Sequence, residues 1–352
     1  MYTVELGIDT LSYYCGLTPK QKDNVIGSLK TLPDFRTERQ DYWEKTCVYH
    51  SDCFAKQGVK LVLSQIKGKP WGLLVIIHPT LVFGISDRSA LYQPTKKREY
   101  KYIVKEVDRL LSRAKVPCSV DDMKLYRGDV TANLVFKASA EVDEYIRILK
   151  KSCLLPHYKR EFFRKDDHKA KDYKIANRHS CKQACRSAAF FAYDKTAQLE
   201  MIDAFPDTLI GKRVLRLEAQ LRRKAMKKWV RKDAMNSSNW EIISALYKNT
   251  VKILNWYLKR IQPVTGKYLR YQDAVDAVSQ VRGKRTQERM LYLLRKTSDS
   301  ESLTTALEKL RGKYGLSKSQ CRVVLRKFEK LEISPITLAN SSSHDGLSPL
   351  QL

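Results

Sequence analysis

Acidic side chains are scarce in this chain: 38 Asp and Glu stand against 66 Lys and Arg over 352 residues, a formal charge of +28. A surplus of that size, spread from about residue 91 to residue 330, makes a merely well-solvated basic protein the weaker reading. It points to a polyanion, nucleic acid first and an anionic membrane surface second. Long apolar runs are missing too. The longest, Trp71 to Ile85, contains His78 and Pro79 and is too short to span a bilayer. The opening MYTVELGIDTLSYY carries Glu5 and Asp9 and lacks a basic segment followed by an apolar core, so no secretory leader is expected. Histidine is rare: His50, His78, His157, His168, His179 and His344, no two of them two residues apart. The eight cysteines are irregularly spaced, as expected of reduced thiols in a cytosol. Cys47-x2-His50-x2-Cys53 and His179-x-Cys181-x3-Cys185 each offer three zinc ligands, but neither has the spacing of a common structural site or a fourth ligand nearby, and both read as coincidence.

What is present is more telling. With 43% hydrophobic residues the chain has the makings of one large or two ordinary globular domains. Three short β-type segments carry reactive or charged residues two apart: Arg127 and Asp129 in LYRGDVTANLV, Tyr193 and Lys195 in FFAYDKTAQL, Arg216 and Glu218 in VLRLEAQLRR. Alternation along a strand puts both members of each pair on one face, with Val130, Ala132, Ala192, Leu215, Leu217 and Ala219 on the other. One sheet face would then offer two carboxylates, a phenol and three cations. Asp129 and Glu218 are hard oxygen donors suited to Mg²⁺ or Mn²⁺, which would polarise a phosphodiester. Tyr193 becomes a nucleophile once a cation or metal favours phenolate, and Lys195 supplies such a charge. Arg127 and Arg216 would hold phosphates or orient the carboxylates. Taken singly, each pair reads as a cross-strand ion pair and the tyrosine as a core residue; their joint occurrence in one basic chain favours chemistry.

The hydropathy pattern predicts an opening strand from Val4 to Tyr14, hairpins and loops over 16–58, and a hairpin of Lys60–Ile66 with Trp71–Ile77. Helical stripes follow at Glu99–Ala114 and Ala140–Leu154, then a basic connection over 155–185. Beyond about residue 224 the pattern is helical: 235–260, 271–281, 286–295, 302–314 and 318–331. Gly315 and Ser317 mark a stop and a cap. The last pair reads either as a helix-turn-helix placing Lys318, Gln320, Arg322 and Arg326 in a major groove or as a plain helical hairpin. The expected architecture is α+β: a mainly antiparallel sheet with flanking helices over 1–232, a helical domain over 233–333, and a disordered tail over 334–352.

GIDTLSYY (7–14), IIHPTLVFG (76–84), LYRGDVTANL (125–134), FFAYDKTAQLE (190–200) and LRLEAQLRRKAMKKW (215–229) resemble the phage and plasmid II/X family of replication initiators. The resemblance covers roughly the first two-thirds of the chain. It implies a rolling-circle nickase fold and site-specific cleavage of one strand of a double-stranded origin through a 5′-phosphotyrosine, leaving a 3′ hydroxyl as primer. Tyr193 would be the nucleophile and Lys195 its helper. Asp129 and Glu218 would be metal ligands, with Asp9 a third, and Arg127 and Arg216 phosphate contacts. Lys224, Lys318 and Arg322 join the DNA-binding set. Implied partners are origin DNA, the displaced single strand and a host helicase and polymerase, with no membrane, in a bacterial cytoplasm. Many rolling-circle nickases use a His-hydrophobic-His motif that this chain lacks, so its metal site must be mainly acidic or gather distant histidines. An origin binder without chemistry, and a single-strand RNA-binding module, are the competing readings.

Overall fold

The alternating opening segment forms one long strand, β1 (Tyr2–Leu17), at the centre of an antiparallel sheet. This computed structural model describes residues 2–38, 45–66, 70–137, 140–163 and 173–352. Nine more strands join the sheet: β2 (Phe35–Glu38), β3 (Lys45–Ser51), β4 (Val59–Ile66), β5 (Trp71–Ile77), β6 (Lys124–Phe136), β7 (Lys159–Glu161), β8 (Ser180–Ala184), β9 (Ala188–Asp194) and β10 (Arg213–Arg222). Their spatial order is β2-β3-β4-β5-β1-β6-β10-β9-β8-β7. The protein is thus α+β, and the expected hairpin of β4 and β5 is present.

Between them run α1 (Pro19–Lys30), α2 (Pro79–Val82), α3 (Lys97–Arg113), α4 (Ala140–Lys151), α5 (Tyr173–Arg178), α6 (Lys195–Met201), α7 (Arg223–Met226) and α8 (Lys232–Met235). Helix α1 lies where only hairpins and loops were expected. It starts on a capping box, Thr18 with Gln21, and Pro19 sits at its first position. The stripe of α3 is as expected, with Tyr100, Ile103, Val107, Leu110 and Leu111 buried.

The expected helix over 235–260 is two helices, α9 (Asn239–Lys248) and α10 (Thr250–Ile261), which meet at Asn249. Both pack against β6, so they belong with the sheet and not with a separate domain beginning at 233. Leu246 of α9 reaches the Cα side of Gly128, and Tyr257 of α10 stacks on Phe190 of β9 at 5.3 Å. One sheet face is therefore closed by helices over Val130, Ala132, Leu134, Leu217 and Ala219, all fully buried. At about 25 cal/mol per Å² this apolar layer is the main source of stability, and it fixes which residues face the other way.

The remaining helices, α11 (Tyr271–Ser279), α12 (Lys284–Asp299), α13 (Leu303–Tyr314) and α14 (Lys318–Lys330), pack on one another. Gly315 ends α13 in the left-handed region, φ 61°, and Ser317 with Gln320 forms a capping box on α14, as the residue types predict.

The tail from Ser334 departs from expectation. Ser334 and Leu338 donate backbone hydrogen bonds to Lys267 and Leu269, each 2.8 Å, and β11 (Tyr268–Leu269) pairs with β12 (Gly346–Leu347). Ile336, Leu338, Leu347 and Leu350 are buried, and the Leu352 backbone exchanges hydrogen bonds with Asn255 of α10. Pro, Ser, Asn and Gly set its composition, but these spaced aliphatics dock it.

Candidate active site

The open face of β6, β10 and β9 carries the polar residues. Ladder register sets Tyr193 opposite Arg216, Phe191 opposite Glu218, Asn133 opposite Arg216, Thr131 opposite Glu218, Asp129 opposite Gln220, and Arg127 opposite Arg222. Directly opposed residues share a face, so Arg127, Asp129, Tyr193, Arg216 and Glu218 lie together on one surface.

A β-bulge adds Asp9. Between the pairs Ile8–Val130 and Leu11–Gly128, β1 carries two residues, Asp9 and Thr10, against the single Asp129 of β6. A bulge of this kind re-aims a side chain. Next to it, Gly7 lets the segment carrying Leu91 and Tyr92 press against the strand; a Cβ there would stand 2.5 Å from Leu91 Cβ. Ile8 and Tyr92 then exchange backbone hydrogen bonds at 2.7 and 3.1 Å. That crossing segment roofs part of the open face with the Ser89 carbonyl.

Arg216 is the hub. It is fully buried, its Nη1 bonds Asp9 Oδ1 at 2.5 Å, its Nε bonds Asn133 Oδ1 at 2.8 Å, and its Nη2 bonds the Ser89 carbonyl. Thr10 Oγ1 donates to the second oxygen of Asp9 at 2.9 Å and stands 3.3 Å from His78 Nδ1. Burial opposes a charge on Asp9, but Arg216 overrides it, with Lys195 and His78, and holds the carboxyl at about 2.

The Tyr193 hydroxyl donates to Glu218 Oε2 at 3.4 Å, and Gln220 Nε2 donates to Glu218 Oε1 at 2.6 Å. Tyr193 is 6% exposed and Glu218 4%. Burial drives the phenol well above its ordinary range; Arg216 opposes that, whereas Glu218 and Asp9 add to it. Burial and the nearby Asp9 likewise raise Glu218, making it a better proton acceptor than an exposed glutamate. Phe191 packs its ring 4.5 Å from that of Tyr193.

Asp129 is held by both nitrogens of an Arg127 fork, one of them at 2.7 Å. Burial pushes its pKa up to about 8, Arg127 opposing and Glu218 and Asp9 adding. Lys195 does not continue the strand. Asp194 caps α6, accepting from Ala197 N at 3.0 Å, and the chain turns into helix at Lys195. The ammonium stays buried, donates to Gln198 Oε1 at 2.9 Å, and still feels Asp9 and Glu218. Burial, then Arg216, lowers it to about 7.

Of the outlying candidates, Lys224 is exposed beyond the end of β10, and Lys318 and Arg322 lie on the exposed side of α14, in the helical unit. Asn133, Ser89, Thr10 and Gln220 belong to the network although sequence reasoning did not single them out. Asn133 and Gln220 were findable by extending the alternation of 127–129 and 216–218.

Cys181 turns its Sγ to the Leu149 carbonyl and Cys185 stands beside Ser187, so neither joins His179. The Cys47 side chain lies outside the described residues. Among the described residues one group has three metal-capable donors within 4.8 Å of one another: Asp143, His179 and Asp194. Arg213 already occupies it, paired to Asp194 and 3.9 Å from Asp143. Asp9, Asp129 and Glu218 form no such closed group. Asp129 is tied to Arg127, Asp9 to Arg216 and Thr10, and Glu218 to Tyr193 and Gln220, so each of the three acids already accepts from the protein; Asp9, whose side chain is 20% exposed, is the most open of them. Mg²⁺ takes one or two carboxylates with several waters, so an ion bound on this face would have to displace one of these donors.

No family model matches the chain, and no curated protein matches it. Among the described residues no helix is long and apolar enough to cross a membrane.

Proposed function

We propose that this protein is a rolling-circle replication initiator that nicks and rejoins one DNA strand at an origin, with Tyr193 as nucleophile on a nickase-like sheet. The observation that carries the reading is the Tyr193–Glu218 hydrogen bond beside the Arg216–Asp9 pair on one sheet face. A phenol in that position has a proton acceptor on one side and a fixed positive charge on the other.

In the proposed step the Tyr193 oxygen bonds to phosphorus, the P–O3′ bond breaks, and the phenolic proton passes to Glu218. Arg216 stabilises the developing phenolate and holds Asp9 in place. Lys195, poised near neutrality, delivers a proton to the leaving 3′ oxygen or carries positive charge toward the phosphate. Arg127, whose side chain is 30% exposed, lies at the rim where a neighbouring phosphate would arrive. Mg²⁺ or Mn²⁺, were it to displace a donor at Asp9, would polarise the scissile phosphate and offset charge on the leaving oxygen. Rejoining reverses these transfers, with the 3′ hydroxyl attacking the phosphotyrosine. The exposed cations of α14 supply duplex affinity, and helicase and polymerase act on the strand that the nick releases.

A supercoiled plasmid carrying the DNA that flanks this gene, incubated with protein and Mg²⁺, tests the proposal. Open circles with protein on a 5′ end are expected. Intact supercoils at every metal and salt concentration, despite tight binding to the same DNA, would leave an origin binder without chemistry.

A further inference from the structure

At the far end of β10 the open face gives way to a different surface. Seven of the eleven residues from Arg222 to Lys232 are Lys or Arg, and no acid interrupts them. The segment is pinned from below: Met226 and Val230 are buried, Val230 N bonds the Met226 carbonyl at 3.0 Å, and the Trp229 carbonyl accepts from Asn249 Nδ2 at 3.2 Å. What it presents is an aromatic corner. Trp229 and Trp256 meet edge to face at 6.0 Å, each half-buried, and two cations lie over Trp256, Lys228 Nζ at 3.6 Å and Arg260 Cζ at 3.9 Å from its ring centre. Among the described residues Lys224, Lys227, Lys228, Lys252, Lys259 and Arg260 form no ion pair, so this charge is uncompensated.

We propose that the Trp229–Trp256 corner, with Lys228 and Arg260, is a binding platform for single-stranded DNA, separate from the Tyr193 face. A duplex hides the faces of its bases, so half-exposed indoles among cations add little to duplex binding. An unpaired strand offers phosphates to Lys228 and Arg260, which Trp256 holds in place, and base faces to Trp229 or to the outer side of the Arg260 plane. Packing under Met226 and Val230 holds the corner in place before the strand arrives, which lowers the ordering cost of binding. Trp256 and Arg260 lie on α10, which packs on the helix-covered side of the sheet, and Trp229 and Lys228 follow α7, so the inference does not rest on the nicking reading.

The test is quenching of tryptophan fluorescence in the full-length protein by a dT oligonucleotide of about 16 nucleotides, in EDTA so that no cleavage contributes. Saturable, salt-sensitive quenching is expected. Trp256→Ala, which removes the ring that positions Lys228 and Arg260, should weaken binding by about 5- to 150-fold, as much as the loss of one stacked base, and Trp256→Phe by less. The charge reversals Lys228→Glu and Arg260→Glu, both at exposed positions, should weaken it as well. Unchanged affinity in those two variants overturns the proposal, whether or not Trp256→Ala folds. So does equal quenching by duplex of the same length, or by anionic lipid vesicles that compete with the oligonucleotide. Loss of dT binding in these variants with plasmid nicking intact would locate the platform without touching the Tyr193 assignment.

Discussion

Arg216 and Asp9, 207 positions apart in the chain, form a 2.5 Å ion pair in which the guanidinium is wholly buried and the carboxylate sits in a strand bulge. Removing one partner of a buried pair strands the other, which typically costs about 3–5 kcal/mol. Arg216→Ala should therefore lower the thermal midpoint markedly, and Asp9→Asn should do so by less because Asn133 and Ser89 still hold the guanidinium. Thermal denaturation of the two variants checks the order; the reverse order would remove Arg216 as the hub.

Lys195 gives a pH signature. Its pKa in the fold is lowered to about 7 from an ordinary 10.5, chiefly by burial. Between those values the unfolded chain binds the proton and the folded protein does not, so this residue makes stability rise with pH from about 7 to 10.5, and its full penalty applies below 7. Lys195→Met removes the penalty. The variant should gain thermal stability over the wild type at pH 6, and the difference should shrink by pH 9. A difference independent of pH would mean that the ammonium is not desolvated.

The tail makes a stability prediction. Ending the chain at Ile333 removes Ile336, Leu338, Leu347 and Leu350, each buried, and burial of such a side chain is worth about 1.5–3 kcal/mol. The truncated protein should melt well below the full chain and expose Tyr268 to solvent. An unchanged melting curve would restore the reading of 334–352 as disordered.

Cations at 318, 322, 326 and 330 recur every fourth residue along the exposed side of α14. If Lys318 and Arg322 contact phosphates, replacing both with Gln should flatten the dependence of log affinity on log salt by about 0.9 for each lost contact. Filter binding to duplex DNA between 50 and 200 mM salt, conditions over which about 6–10 contacts would cost about 10³–10⁵ in affinity, reads the slope. An unchanged slope would assign α14 to a plain helical hairpin.

What was legible in the sequence was whatever a strand or helix repeats locally. Period-two alternation placed Arg127 with Asp129 and Arg216 with Glu218, and the Gly315–Ser317 punctuation placed the α13–α14 turn. The bulge at Asp9 and Thr10 was not legible, because it exists only in the opposition of two residues on β1 to one on β6. Alternation alone carries the strand through Lys195, whereas the Asp194 side chain begins a helix there. The roof over Arg216 depends on the Ser89 backbone, which carries no side-chain signal at all. The capping box at Thr18 and Gln21 stands among polar and aromatic residues with no clear period, which masks the helix it begins.

The central claim is that Tyr193 becomes joined to DNA. Digesting the protein–DNA adduct formed on nicked plasmid and sequencing the peptide that retains the nucleotide measures this directly. The account predicts a phosphodiester on Tyr193, and no adduct from Tyr193→Phe even where that variant binds DNA with wild-type affinity. A nucleotide on Tyr126 or another residue, or nicking that persists in Tyr193→Phe, would contradict it.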